Sequence, residues 1–379
     1  MKNSVWFILL AALLLAACSK DSEQTVTPGP EVPRPDTIPT PAVEEAPLSL
    51  VAATRGDGSG FYDAADAYEV HSPIQFFLMS GVNETAINQK REGLFVYDPE
   101  KAVWSSNIGL KEPHNCIYGF SPATAASCVI SPAVGSSYKE GAVLKMTNLT
   151  AASGSDLCVI IGVRHGSSKA ETEAVPVSGQ YYFMMASRNY VSLLLDHVFA
   201  RIDFKVKLGT EYSKLRYIKI KKLELQSSFE LTGMTVRLTP TSTDISYETT
   251  PSADGTPQTG VIYDFSTDAD NPEGKDITVD GTVFPGFFAP DDASQIAKAL
   301  SLVCTYDVYA IDAFNDNKIG TRVRENCVAV NSLKGVFSSL NAPLKRGQKT
   351  TLNLTVEPTY LYQLSDDELD NPSIKITSE

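Results

Sequence analysis

The chain has 379 residues, 43% of them hydrophobic, with 22 prolines, 24 glycines and a formal net charge of −13. That acidity repels phosphate backbones and excludes nucleic acid as a partner class. The length leaves about 330 residues beyond the N-terminal segments described next, enough for two domains with packed cores.

Lys2 precedes an apolar run from Val5 to Leu15, which ends in Ala16, Ala17 and Cys18. This is the pattern of a secretory signal over residues 1–17. The run is shorter than the ~20 apolar residues of a membrane-spanning helix. Leu15-Ala16-Ala17-Cys18 looks like a lipobox, in which the signal is cut before a cysteine with an acylated thiol. Cys18 is therefore the expected lipidation site, and two or three acyl chains at about 0.8 kcal/mol per buried CH₂ give a stable membrane anchor. Ser19-Lys20-Asp21-Ser22-Glu23 resembles the surface-export signal of Bacteroidetes lipoproteins. Residues 18–47 form a tether, with prolines at 28, 30, 33, 35, 39, 41 and 47. Such a composition favours extended polyproline II and cannot bury a core.

Past the tether the apolar residues alternate with a period of two. Leu48 to Ala53 reads as a first strand, followed by Arg55 and a glycine-rich stretch from Gly56 to Gly60. Ile74 to Met79 is a buried strand, and Leu94 to Tyr97 with Val103 and Trp104 is a hairpin around Asp98-Pro99. Ile117 to Phe120, Leu157 to Val163 and Tyr181 to Ala186 complete a first set. A boundary near Ser187 to Tyr190 divides the chain into β-sandwiches over 48–189 and 190–379. Val191 to Leu208 then opens the second set.

The clearest strand is Ala200 to Leu208. Ala200, Ile202, Phe204, Val206 and Leu208 face a core, and Arg201, Asp203, Lys205 and Lys207 face water. Ile218 and Ile220 continue in one phase and Leu223 and Leu225 in the other, so Lys221-Lys222 marks a β-bulge. Pro251 to Gly260 reads as a mobile loop, and Asp291 to Leu300 as a helix with an acidic cap. Leu302, Cys304, Tyr306 and Val308 alternate, as do Leu352, Leu354 and Val356. A C-terminal extension, 360–379, breaks at Asp366-Asp367-Glu368 and resumes with Ile374 and Ile376. Many short strands with turn signals make the fold class all-β.

No catalytic, cofactor or metal constellation emerges, so the chain is not expected to be an enzyme. Cys116, Cys128, Cys158, Cys304 and Cys327 form no Cys-x-x-Cys motif. Cys116 with Cys128, or Cys304 with Cys327, are the pairs that disulfides could join. His114 lies near Cys116 without the further ligands zinc needs. His197 reads as a satisfied core histidine.

Val191-Ser192-Leu193-Leu194-Leu195-Asp196-His197-Val198-Phe199-Ala200-Arg201-Ile202-Asp203-Phe204 resembles the domain-opening strand of the fimbrillins, the type V pilins of Bacteroidetes. Leu223 to Gly233, Gly286-Phe287-Phe288-Ala289-Pro290 and Leu344-Lys345-Arg346-Gly347-Gln348 are similar to later segments of that family, in order. The resemblance implies two tandem transthyretin-like β-sandwiches and a subunit of a surface fimbria with a role in adhesion. It further implies delivery to the outer membrane as a lipoprotein, protease cleavage after the first strand, and insertion of a strand from another subunit. Arg55 is then the candidate cleavage site, with Arg91 a weaker rival, and Ile374 and Ile376 mark the candidate donor strand. The alternative is a surface glycan-binding lipoprotein, which would need exposed aromatic rings. Arg55-Gly56-Asp57 also spells an integrin tripeptide, a match short enough to arise by chance.

Overall fold

A computed structural model describes residues 45–55, 70–132, 137–173, 179–291, 295–312, 318–339, 344–357 and 372–378. Cys18, with the rest of the signal and most of the tether, lies outside them. The described chain is all-β. Its strands are β1 (Leu48–Arg55), β2 (Ile74–Gly81), β3 (Ile87–Asp98), β4 (Val103–Ser106), β5 (His114–Ser121), β6 (Ser127–Pro132) and β7 (Ala142–Thr147). Next come β8 (Ala152–Ser153), β9 (Cys158–Gly166), β10 (Tyr182–Met184), β11 (Asn189–His197), β12 (Ala200–Leu208), β13 (Arg216–Ser227), β14 (Phe229–Leu238) and β15 (Thr243–Pro251). The last are β16 (Gln258–Asp264), β17 (Lys275–Ile277), β18 (Thr282–Phe288), β19 (Leu300–Asp312), β20 (Lys318–Ser332), β21 (Lys349–Glu357) and β22 (Ser373–Ser378). Short helices α1 (Lys169–Glu173), α2 (Gln295–Ala299) and α3 (Lys334–Ser339) interrupt them.

These strands make four sheets. An eight-stranded sheet runs β1-β11-β9-β5-β2-β3-β4, with β10 beside β5. Its two ends meet: β1 lies against β4, and Ala46 bridges to Leu110 just beyond β4. The sheet is therefore rolled. Ile74, Phe76, Leu78, Ile117, Ile160, Val163, Val191, Leu193 and Leu195 fill its interior as one apolar cluster. Phe77, Met79, Tyr118, Phe120 and Val159 point out of the roll and join a second core shared with the other sheets. Those sheets run β22-β21-β12-β18-β8, β16-β13-β19-β20 with β17 beside β13, and β15-β14-β7-β6.

Period-two patterning accounts for the elements beyond residue 200. Ala200, Ile202, Phe204, Val206 and Leu208 are all buried. Asp203 is buried as well, against the expectation of a wet face, because Arg201 Nε donates to its carboxylate at 2.7 Å. The bulge falls between Ile220 and Lys222, where the register of β13 against β19 shifts. Tyr97 pairs with Trp104 in the hairpin around Asp98-Pro99. Asp291 caps α2, its carboxylate accepting from the N–H groups of Gln295 and Ile296 at 3.0 Å each.

Two expectations are corrected. The stretch 251–260 is not a free loop: β15 reaches Pro251 and β16 begins at Gln258. The Gln258 side chain accepts from Ala151 N–H at 2.5 Å and donates to Leu149 O at 3.0 Å, tying the stretch to a distant segment. Second, β11 belongs with the strands before it, pairing with β1 and β9. A strand covered on both faces has no alternation to indicate its sheet. The chain passes to the next sheet at Val198 and Phe199. Conversely, β7 pairs with β14, and β8 with β18, so strands from before residue 190 complete sheets built mainly from residues after it.

Candidate functional site

The first and last strands lie at sheet ends, and both contain residues singled out in the sequence. β1 is the stave that closes the roll. It runs parallel to β11, from Leu48 opposite Asn189 to Arg55 opposite Leu195, with an irregularity between Leu50 and Ala52. Leu48, Leu50 and Ala53 enter the interior and are 5%, 5% and 1% exposed. Burying each leucine contributes about 1.5–3 kcal/mol. Val70 N–H donates to Ala53 O at 2.7 Å.

The approach to β1 is clamped by charge. Glu45 Oε2 accepts from Gly109 N–H at 2.6 Å, and Glu45 Oε1 meets Arg91 at 2.9 Å and Lys111 at 3.0 Å. Hydrogen bonds from Gly109 N–H and Lys111, helped by the Arg91 charge, hold the Glu45 carboxyl below the usual range. Ala46 and Leu110 exchange two main-chain hydrogen bonds of 2.8 Å. A side chain at 109 is excluded, since its Cβ would lie 2.6 Å from Ala46 O. Glu45 and Ala46 thus belong to the folded body although the composition there reads as tether.

Arg55 is the last residue of β1, and 56–69, the rest of the Arg-Gly-Asp tripeptide included, lie outside the described residues. Arg91 sits mid-strand opposite Leu78. Its guanidinium is bound to Glu45 and donates to Gly109 O at 2.6 Å. It braces the clamp.

β22 is a different kind of end strand. It runs antiparallel to β21, with Ile376 opposite Leu354 and Ile374 opposite Val356. Both isoleucines are half-buried on the shared core. Lys375 reaches Glu357 at 3.6 Å from an exposed position.

Two of the segments that carried the family resemblance, 191–204 and 344–348, meet in space. Gly347 N–H donates to Phe199 O and Arg201 N–H to Gln348 O, each at 2.8 Å. Arg346 forms an ion pair with buried Asp196 and donates to His197 O at 3.3 Å and Thr243 O at 3.4 Å. The crossing from the rolled sheet to its neighbour is pinned there.

The described cysteines are free thiols, so neither Cys116–Cys128 nor Cys304–Cys327 forms a disulfide. Burial pushes the thiols of Cys116, Cys128 and Cys304 up to about 12, which keeps them protonated and unreactive. His114 Nδ1 meets Tyr182 Oη at 2.5 Å. Trp104 packs half-buried on the interior of the roll, and Tyr97 is stacked by His71 at 3.9 Å.

No family model matches the sequence, and no curated protein does. Among solved structures, a Bacteroides fragilis protein assigned to cell adhesion is 11% identical, with 89% of this chain and 98% of that one covered and a TM-score of 0.39. A fimbrial protein from Bacteroides vulgatus is 12% identical over 88% and 98%, with a TM-score of 0.34. The fimbrial anchor protein Mfa2 from Porphyromonas gingivalis is 11% identical over 88% and 98%, with a TM-score of 0.29.

Proposed function

We propose that the chain is a structural subunit of a cell-surface fimbria, with a part in adhesion, brought to the outer membrane as a lipoprotein acylated at Cys18. The observation that carries this reading is β1: one parallel stave, bonded along a single neighbour, plugs an apolar interior and ends at a basic residue. In this reading a protease cuts after Arg55. Departure of the stave opens a slot between β11 and β4, with unpaired main-chain groups on its edge and apolar positions in its floor. A strand from another fimbrial subunit fills the slot, its alternate side chains entering where Leu48 and Leu50 were. The donor is the C-terminal strand, with Ile374 and Ile376 as its apolar residues. Such a contact is head-to-tail and does not close, so its repetition gives a filament. Tandem transthyretin-like sandwiches belong to the same proposal, with β11 counted in the first and the change of sheet at Val198 and Phe199. No chemical step is assigned to the chain.

The test is mass spectrometry of the protein's N-terminus in material sheared from producing cells. A chain that starts at Gly56 is expected. A chain that starts only at acylated Cys18 overturns the exchange step. Deleting residues 372–379 is expected to leave a folded monomer that no longer polymerises, and filaments from the deleted chain would overturn the donor assignment.

A further inference from the structure

One end of the rolled sheet carries a buried cluster of potential metal ligands. There the start of β9 and the end of β11 are paired through Cys158 and His197, and Asp156 lies just ahead of Cys158. His197 Nδ1 is 2.8 Å from Asp156 Oδ2 and 3.5 Å from Cys158 Sγ. The three ligand atoms lie within 4.8 Å of one another, and all three residues are buried. An imidazole nitrogen, a thiol sulfur and a carboxylate oxygen are the donor types that tetrahedral zinc takes. With bonds of about 2.3 Å to sulfur and about 2.0 Å to nitrogen, tetrahedral geometry separates the two donors by roughly 3.5 Å. The Sγ–Nδ1 distance already has that value. The carboxylate needs to draw back from the ring by roughly half an ångström, so that its contact with Nδ1 gives way to bonds from both groups to the metal.

We propose that Asp156, Cys158 and His197 form a binding site for a tetrahedral divalent cation, zinc above all. The Cys158 S–H bond breaks as the S–metal bond forms, and its proton leaves to solvent. His197 ligates through Nδ1, so the proton that Nδ1 shares with Asp156 is given up to solvent and the neutral ring takes its proton on Nε2 instead. Thiolate and carboxylate together balance the charge of the ion, so the buried site carries no net charge and avoids the cost of an uncompensated ion. A fourth position is left for a water or a main-chain oxygen. Harder ions such as calcium and magnesium are disfavoured, because they take oxygen ligands and more of them.

The place of the site defines its role. It lies where the chain leaves the rolled sheet, and Val198 N–H already donates to Leu157 O at 3.0 Å beside it. A cation there staples the start of β9 to the end of β11, next to the ion pair of Asp196 with Arg346. It acts as a structural clip and carries no reaction. The inference is independent of strand exchange, since it concerns residues that neither edge strand contains.

The experiment uses the full chain, stripped with EDTA and titrated with cobalt chloride and, separately, zinc chloride. Cobalt is expected to give a near-ultraviolet thiolate-to-metal charge-transfer band that saturates at one equivalent. Zinc at a hundredfold excess over its dissociation constant is expected to raise the melting temperature by roughly 5 °C. Both responses should vanish in Cys158→Ser and in His197→Asn. In case neither variant folds, zinc X-ray absorption on the wild-type chain is a second reading, expected to show a single sulfur neighbour at about 2.3 Å. The proposal is overturned by a wild-type chain with no cobalt band and no zinc-dependent shift, by a shift that survives both substitutions, or by a zinc shell without sulfur.

Discussion

β1 and β22 are both end strands, yet the molecule holds them by different physics. β1 pushes Leu48, Leu50 and Ala53 into an enclosed interior and is clamped at its N-terminal end by Glu45 and Ala46. β22 rests on β21, keeps Ile374 and Ile376 half-buried, and adds an ion pair between exposed Lys375 and Glu357 and a hydrogen bond from Ser373 Oγ to Glu357 O. The first is a closure and the second is a cover. A cover can be lifted at little cost, whereas a closure leaves a hole when it goes. The asymmetry suits a strand that is given and a slot that receives.

The sharpest way to break this comparison is a matched pair of substitutions. Leu50→Asp places a carboxylate in the apolar interior, where burial without a partner costs several kcal/mol, about 3–5. Ile376→Asp places the same group at a half-buried edge, where the carboxylate keeps water and the cost should stay near 1 kcal/mol. Urea unfolding of both variants reads the difference directly. Equal losses would mean that β1 and β22 are held alike.

Gly109→Ala is the next largest effect and separates the clamp from the stave. The new Cβ meets a main-chain oxygen at 2.6 Å, so the Ala46–Leu110 bridge must shift, at a cost of about 1–3 kcal/mol. Amide exchange at Ala46 and Leu110 should accelerate while the amides between β21 and β22 keep their protection. Unchanged exchange at Leu110 would show that the bridge does not bear on closure.

Truncating Ile374 and Ile376 to alanine together should cost less, about 1–2 kcal/mol, because both side chains already meet solvent. The variant should remain folded and monomeric by sedimentation. Global unfolding would mean that β22 is as integral to its sheet as β1 is to the roll.

How much of this is legible in the sequence depends on how each strand is covered. β12, β13, β19 and β21 lie with one face on the core and one toward water, so alternation reveals both their existence and their facing, and a lapse in phase reveals the bulge near Lys221. β11 is covered on both faces, so Val191, Ser192, Leu193 and Leu195 are all buried and the pattern is silent about which sheet it joins. The partnership of β7 with β14 is set by tertiary packing between residues far apart in sequence, for which local propensity has no signal. The clamp at Glu45 was hidden by composition, since a Pro-rich stretch reads as tether up to Pro47. The Asp156–Cys158–His197 cluster was missed for a like reason. In the sequence only the apolar neighbours of His197 place it, and its cross-strand partner appears only once β9 and β11 are in register. The ends of the two edge strands, by contrast, were visible as short apolar alternations beside charged or glycine-rich stretches.

The smallest effect tests the electrostatic half of the clamp. Glu45 is held below its ordinary 4.5 by hydrogen bonds from Gly109 N–H and Lys111, with Arg91 adding its charge. A lowered carboxyl stabilises the folded chain at pH above its unfolded value, and the benefit fades as pH falls through the folded value. Wild type and Glu45→Gln should therefore differ most above pH 5, and the gap should narrow as the pH is taken below 4.5. The Glu45 side chain is 35% exposed, so solvent screening limits the gap to less than about 1 kcal/mol, and added salt should shrink it further. The control is the far edge. Lys375→Gln removes the ion pair of β22 with Glu357 and should change stability negligibly at any pH. A pH-dependent loss as large at Lys375 as at Glu45 would erase the distinction between a clamped stave and an open cover. A gap at Glu45 that widens on acidification would mean that the charge network opposes closure.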